Sequence, residues 1–494
     1  MSHLLKKDLS IFFKIFKILI ILSILILFCY GFQSYKGSKI LYTIFSIISN
    51  YLIFFSFRKK AFFFETFFGL LLWLGFWFKF TCTIAFTSGK FNEGVGSFDY
   101  SKILFNESLI VSSIGLSAFI ISGHFRELFL YNYPIRLENQ IFKSNFFSLD
   151  QKKIWIIFFI FFLIVGILNF YFKIYQKGLL PIYDINFIVS GTFKWLLLFG
   201  LSSISAILIF YEFNYFKKFF LITTFLIILE TFFTSLSMLS RGMIFNACAL
   251  LFGIYKFSNK IGKPNNLRFY IKSFFLILVL FYISVSSVNY LRSNYFYVGK
   301  SAEFSKLLDK SNEKVIKKEV DKKITTLKQN NSEIFYLLIN RWVGIDGVMS
   351  VVSKKELLSL PFLVSAFQER ARADSPTFYE LTFELESMNS HSNELYENVK
   401  GNTLPGILAF IYYSGSYFIL FIVMFLITIF ASYLELISFK LSSQNLIFSA
   451  LIGQVIAFRF IHFGYLPHQS YLLFGTILLT IMFTYTLSVL LKKF

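Results

Sequence analysis

The sequence predicts an all-α polytopic membrane protein of about 12 spanning helices, with one large loop on the extracytoplasmic side. Two observations predict it. Of the 494 residues 56% are hydrophobic, 71 of them Phe, and the mean hydropathy is +0.66, well above the roughly 45–50% apolar share of a soluble domain. Positive residues also recur between the apolar runs with a period that fits alternating sides of a membrane.

The apolar runs begin near residues 12, 40, 61, 104, 154, 193, 218, 240, 272, 406, 443 and 468. Each is long enough to approach the hydrocarbon thickness of about 30 Å. The first, "IFKILIILSILILFCYGF", follows Lys6 and Lys7 like a signal peptide. It lacks a small-residue cleavage site and exceeds a simple hydrophobic core, so it reads as a retained helix. Between the seventh and eighth runs, "ETFFTSLSMLSRGMIFNA" leaves room only for a tight turn.

Placing the amino terminus in the cytoplasm puts Lys6/Lys7, "RKK" at 58–60, the 125–153 loop, Lys217/Lys218, "KFSNKIGKPNNLRFYIK", Lys440 and Lys492/Lys493 on the inner side. That is about 22 Lys and Arg inside against about 8 in the short outer loops, the asymmetry that orients membrane proteins. Both termini are then cytoplasmic. This placement accounts for the net charge of +21 without a nucleic-acid partner. Residues 291–403 form a hydrophilic insertion facing outward, which divides the chain into a membrane domain (1–290), a loop domain (291–403) and a last membrane segment (404–494). Within the insertion, Phe304, Leu307, Leu308, Val315, Ile316, Val320, Ile324 and Leu327 recur at helical spacing, as in a surface helix. "IFYLLINRWVGIDGVMSVV" reads as a buried helix and turn.

Phosphate-binding and dinucleotide glycine loops, HExxH and CxxC pairs are absent, which excludes ATP-driven pumps. Cys29, Cys82 and Cys248 lie in apolar runs without metal-ligand spacing, so neither metal nor cofactor is implied. The topology instead gathers ionisable groups at the outer boundary. Arg241 opens the eighth run, Arg459 and His462 stand at i and i+3 at the end of the eleventh, and His468 begins the twelfth. Arg341, Asp346 and His391 lie in the insertion, where Arg341 and Asp346 are spaced to pair with each other; Glu230 lies two to three turns below Arg241. A charge at membrane depth costs at least roughly 2.5–3.5 kcal/mol, so each invites explanation. With about 38 Lys against about 10 Arg in the chain, outer arginines are a minority suited to bidentate phosphate binding.

The outward arginines, the long outer loop, "NRWVGIDGVM" and "TLPGILAFIYYSGSYF" resemble the O-antigen polymerases of bacterial surface polysaccharide pathways, over residues 230–470 as motif and over most of the chain as architecture. The resemblance implies a GT-C-like fold. It implies transfer of a growing glycan from one undecaprenyl-pyrophosphate carrier to the oligosaccharide repeat unit on another, in the bacterial cytoplasmic membrane, with the large loop periplasmic. Arg241, Arg341 and Arg459 would meet the pyrophosphate charge. His462, His391 or His468, with Glu230 or Asp346 as carboxylate alternatives, would take the acceptor proton. The lipid bilayer and the lipid-linked oligosaccharide are the expected partners, and a chain-length regulator is compatible with this reading. Two other readings stand beside it: a flippase for the same lipid-linked oligosaccharide, and another carrier-dependent glycosyltransferase or ligase. The first outer loop, "GFQSYKGSK", lacks the acidic residues of single-sugar GT-C enzymes.

Overall fold

A computed structural model describes residues 2–87, 89, 91, 95–134, 150–177, 186–216, 218–261, 267–308, 339–369, 377–385, 404–464 and 467–493. Among these the chain is helical throughout, with no strand. Long helices are α1 (Ser2–Ser34), α2 (Lys39–Ser56), α3 (Phe63–Phe86), α4 (Lys102–Leu130), α5 (Gln151–Phe172), α6 (Phe187–Phe216), α7 (Leu221–Ser237), α8 (Ile244–Lys260) and α9 (Leu267–Leu308). Then come the short helices α10 (Ile345–Val352), α11 (Leu360–Phe367), α12 (Phe378–Thr382) and α13 (Ile407–Tyr412), followed by α14 (Tyr417–Leu441), α15 (Leu446–Ile461) and α16 (Pro467–Lys493). Among the described residues, eight helices are long and apolar enough to cross a membrane, and Ile18–Ser34, α7 and α15 are shorter apolar helices. The chain is a polytopic membrane protein.

The helix starts lie close to the apolar runs, with two informative departures. The run near 406 does not begin a span: α13 lies fully buried, the chain turns at Gly415 (φ +68°), and the long helix starts only at Tyr417. The other is that α9 runs on past Leu291, where its apolar span ends, without a break to Leu308. Most of the surface helix expected beyond it falls outside the described residues.

Nor does the described part of the insertion have a core of its own. All eight residues of α10 are buried, and its Ile345, Val348 and Met349 belong to the same core as Phe68, Phe76, Leu109 and Leu116 of α3 and α4. Two glycines permit this. A Cβ on Gly75 would collide with the Val343 carbonyl oxygen, and one on Gly344 with the Gly75 carbonyl. Backbone therefore lies directly on backbone where α3 makes a π-helical turn at Leu74–Phe78. Such a turn inserts one residue and re-aims the side chains beyond it.

α15 is the central helix. Every residue from Leu446 to Ala457 is buried. It lies against α3 through Phe460, whose ring is 6.1 Å from Phe64 and 6.3 Å from Phe68. It touches α8 where Gly253 would place a Cβ 2.8 Å from the Ile447 Cα. Near the start of α3, the Glu65 carboxylate, fully buried, accepts from Arg126 Nε (2.6 Å) and Arg58 Nη2 (2.8 Å). Glu435 of α14 accepts from the Phe63 (2.9 Å) and Phe64 (2.6 Å) N–H groups and from the Tyr133 hydroxyl. That satisfies donors at the start of α3 that its own ladder leaves unpaired.

Candidate functional site

The central helix α15 ends in the two residues that interrupt its apolar sequence. His462 is the first residue beyond it. Its Nδ1 lies 2.9 Å from the Phe458 carbonyl oxygen, and its ring is 4.1 Å from the Phe458 ring. A carbonyl only accepts, so Nδ1 carries the proton and Nε2 presents a lone pair. Burial lowers the His462 pKa from its ordinary value to about 4; the bond to Phe458 opposes the shift, and the Lys177 and Arg459 charges reinforce it. The imidazole is therefore neutral at physiological pH. One turn back, Arg459 is half-buried, and its Nε is buried without a hydrogen-bond partner among the described residues. Such an orphaned donor costs about 1–3 kcal/mol, more on a charged group, unless a ligand satisfies it.

A second wall comes from two connections that the sequence leaves far apart. Asn169 is fully buried near the end of α5. Its amide donates to the Tyr175 carbonyl (3.1 Å), the Ser237 carbonyl (2.9 Å) and the Ser237 hydroxyl (2.8 Å), while its oxygen accepts from the Tyr175 N–H (2.8 Å). The Lys177 N–H donates to the Met238 carbonyl (2.9 Å). One amide thus fastens the chain after α5 to the turn between α7 and α8, the turn that holds Arg241. Gly242 of that turn would place a Cβ 3.5 Å from the Phe458 ring. The Lys177 ammonium stands 5.5 Å from the same ring. Burial raises the pKa of the Tyr175 hydroxyl, and the nearby Arg459 guanidinium pulls it back. On Tyr175's own ring lies the ammonium of Lys194, 5.4 Å from the centroid.

Asn169→Ala is expected to cost about 1–3 kcal/mol by stranding these buried partners. It also lets Lys177 and Arg241 drift from Arg459. Thermal denaturation in detergent measures the first effect and the activity assay below the second. A variant that keeps wild-type stability and activity contradicts the clamp.

The third wall is the stretch before α10. Gly406 (φ +79°) would place a Cβ 3.0 Å from Val343 Cγ1 and 3.3 Å from the Ile461 carbonyl. Trp342 lies 6.3 Å from Phe245 of α8, centroid to centroid. The stretch is held from below by Lys79, which is 1% exposed and follows the π-helical turn of α3. Its ammonium donates to the Asn340 carbonyl (3.0 Å), to the Trp342 carbonyl (3.1 Å) and to Asp346. Asp346 therefore pairs with Lys79, where the sequence spacing suggests Arg341. Arg341, between the two anchored carbonyls, is exposed.

The structure thus brings the Arg241 turn, the Arg341 stretch, Arg459 and His462 to one end of the bundle, with Lys177, Tyr175 and Lys194 beside them. Glu230 is not among them. It is buried between α6 and α7, where the Ser202 hydroxyl (3.0 Å) and the Thr234 hydroxyl (3.1 Å) donate to it. His391 lies outside the described residues. His468 falls in the first turn of α16, among residues whose side chains are not described. Lys79, Asn169, Tyr175, Lys177 and Lys194 escape sequence reasoning. Lys79 and Asn169 carried a signal, since each is a polar residue inside an apolar run.

No protein family, curated protein or solved structure matches this chain.

The groups in the cluster are of the kind that could bind an anion. Guanidinium and ammonium groups supply fixed positive charge and many donors, as a phosphate or pyrophosphate requires. A neutral imidazole with a free Nε2 can accept a proton from a hydroxyl. Among the described residues no group of His, Cys, Asp and Glu is arranged to hold a metal ion.

Proposed function

We propose that this protein polymerises undecaprenyl-pyrophosphate-linked oligosaccharide repeat units at the outer face of the bacterial cytoplasmic membrane. In this reading the chain has about 12 spans in a GT-C-like arrangement, both termini are cytoplasmic, and the Arg459 end faces the periplasm. The observation that carries it is the buried, unsatisfied Arg459 Nε at the focus of a cationic cluster beside a neutral histidine.

The reaction breaks the bond between the anomeric carbon and the pyrophosphate oxygen, and negative charge develops on the leaving group. Arg459, Arg241 and Lys177 stabilise that charge from preorganised positions, and Arg341 joins them from the exposed edge. The attacking sugar hydroxyl loses its proton to Nε2 of His462 as its bond to the anomeric carbon forms. The pyrophosphate departs with its lipid. Glu230 and Asp346 act as structural carboxylates in this scheme, because each is already occupied by donors from the protein.

The test is the pattern of surface polysaccharide in cells lacking the protein. Deletion leaves a single capped repeat unit, and the wild-type gene restores the ladder. Accumulation of repeat units on the cytoplasmic face would assign the protein to transport instead.

The acid limb of the pH profile offers a separate check. An ordinary histidine base loses activity as pH falls through about 6.5. His462, protonated only near pH 4, is expected to leave the rate flat between about pH 7.5 and 5. An acid limb near 6.5 in the wild-type profile would contradict a buried, neutral imidazole as the base.

A further inference from the structure

α6 enters the bundle with its apolar side chains turned outward. Phe187, Ile188 and Val189 are 78%, 73% and 44% exposed, which in a spanning helix means contact with lipid. Seven residues on, about 10 Å along the axis at 1.5 Å per residue, stands Lys194, also exposed. The cost of a cation at that depth is at least roughly 2.5–3.5 kcal/mol. Its ammonium lies over Tyr175, and the Tyr175 hydroxyl is close enough to Arg459 to feel its charge. A cation on the lipid-facing wall is thus linked by one aromatic ring to Arg459, whose Nε has no partner among the described residues.

The helix packing leaves room there. α6 meets α16 at Trp195, whose Nε1 donates to the Thr480 hydroxyl (2.8 Å) and whose ring is 5.9 Å from Phe483. One turn closer to the Arg459 end, on the same face of α6, is Gly191. Among the described residues no atom lies within 4 Å of the position its Cβ would take. Among the described residues, the two helices meet at Trp195 and leave open space beside Gly191.

We infer that this gap, with Lys194 and Tyr175 as its wall, is a lateral doorway through which the phosphate headgroup of a lipid in the outer leaflet reaches Arg459. The inference rests on the proposed function for the side of the membrane and the anionic ligand, and deepens it by assigning the route. A phosphate dragged from the interface into an apolar wall loses water, and a cation midway lowers that barrier. The barrier is the same in both directions, so Lys194 changes how fast the lipid enters and leaves, while the affinity set by Arg459 stays.

The experiment compares two probes on purified full-length protein in phosphatidylcholine nanodiscs by stopped-flow fluorescence. Farnesyl pyrophosphate partitions into the bilayer, and inorganic pyrophosphate arrives from water. Lys194→Met is expected to slow both association and dissociation of farnesyl pyrophosphate about tenfold, with affinity within about twofold and the inorganic pyrophosphate rates unchanged. Lys194→Arg restores most of the speed. Unaltered farnesyl pyrophosphate rates would overturn the doorway and leave Lys194 as a snorkelling anchor. An equal loss for both probes would also overturn it, placing Lys194 in the phosphate site itself. If neither probe binds the wild type, the anion site of the proposed function fails, and the doorway with it.

Discussion

Arg459→Ala is expected to abolish the polysaccharide ladder while the protein still accumulates in the membrane. Removing one preorganised donor to a developing negative charge typically lowers the rate by about 10²–10³-fold. Arg459 stands at the centre of its cluster, so the upper end of that range applies. The loss is not one of folding. The Arg459 Nε has no partner to strand among the described residues, and the twelve residues from Leu446 to Ala457 that hold α15 in place are untouched. Alanine at 459 removes a desolvated charge, so thermal stability is expected to hold or to rise slightly. Arg459→Lys keeps the charge but loses the planar fork, and is expected to recover only part of the activity. Full ladders from Arg459→Ala at wild-type abundance would rule out the pyrophosphate site.

Lys79→Met reverses that pattern. Lys79 bonds to three acceptors at once, and its side chain is almost fully buried. Its loss leaves the Asp346 carboxylate, 7% exposed, without its counter-charge. Removing one partner of a buried pair costs about 3–5 kcal/mol, a large fraction of a typical domain's stability. The Asn340 and Trp342 carbonyls lose their donor together with it, so the stretch that carries Arg341 is unseated. Low abundance and an early thermal transition are expected for the single variant. The double variant Lys79→Met, Asp346→Asn removes both charges and is expected to recover part of the stability without recovering activity, because Arg341 is still unanchored. Equal stability of Lys79→Met and wild type would show that the ion pair holds nothing in place.

These two residues mark where the sequence is legible. Arg459 is conspicuous because an apolar run in a membrane protein charges an energy penalty for every ionised side chain. Glu230 is equally conspicuous, yet its partners are the hydroxyls of Ser202 and Thr234. A run of apolar residues announces an interruption without saying what satisfies it. Asp346 illustrates the same limit from the other side. Its nearest cation in sequence is Arg341, and its partner in space is Lys79, 267 residues away.

The insertion shows what hydropathy misses. Residues 345–352 are too short to span a bilayer and read as part of a loop, while residues 407–412 read as the start of a span. They are nevertheless buried in full, because close backbone contact at Gly75 and Gly344 lets them share the core of α3 and α4. Non-helical backbone at such depth is tolerated only where protein surrounds it, and that surrounding is a property of the assembled bundle.

The sequence by itself determined the class of this protein, the placement of most of its helices and the residues that would be costly in a membrane. It could do so because transfer free energy and the reach of an α-helix are local quantities, summed along about 20 neighbouring residues. Only the tertiary structure decided which of those costly residues are answered by partners among the described residues and which are not. That depends on partners separated by long stretches of chain, and on one buried amide, Asn169, that draws the Lys177 and Arg241 segments together. Hydrogen-bond satisfaction is a short-range geometric condition in space, and no sum along the chain contains it.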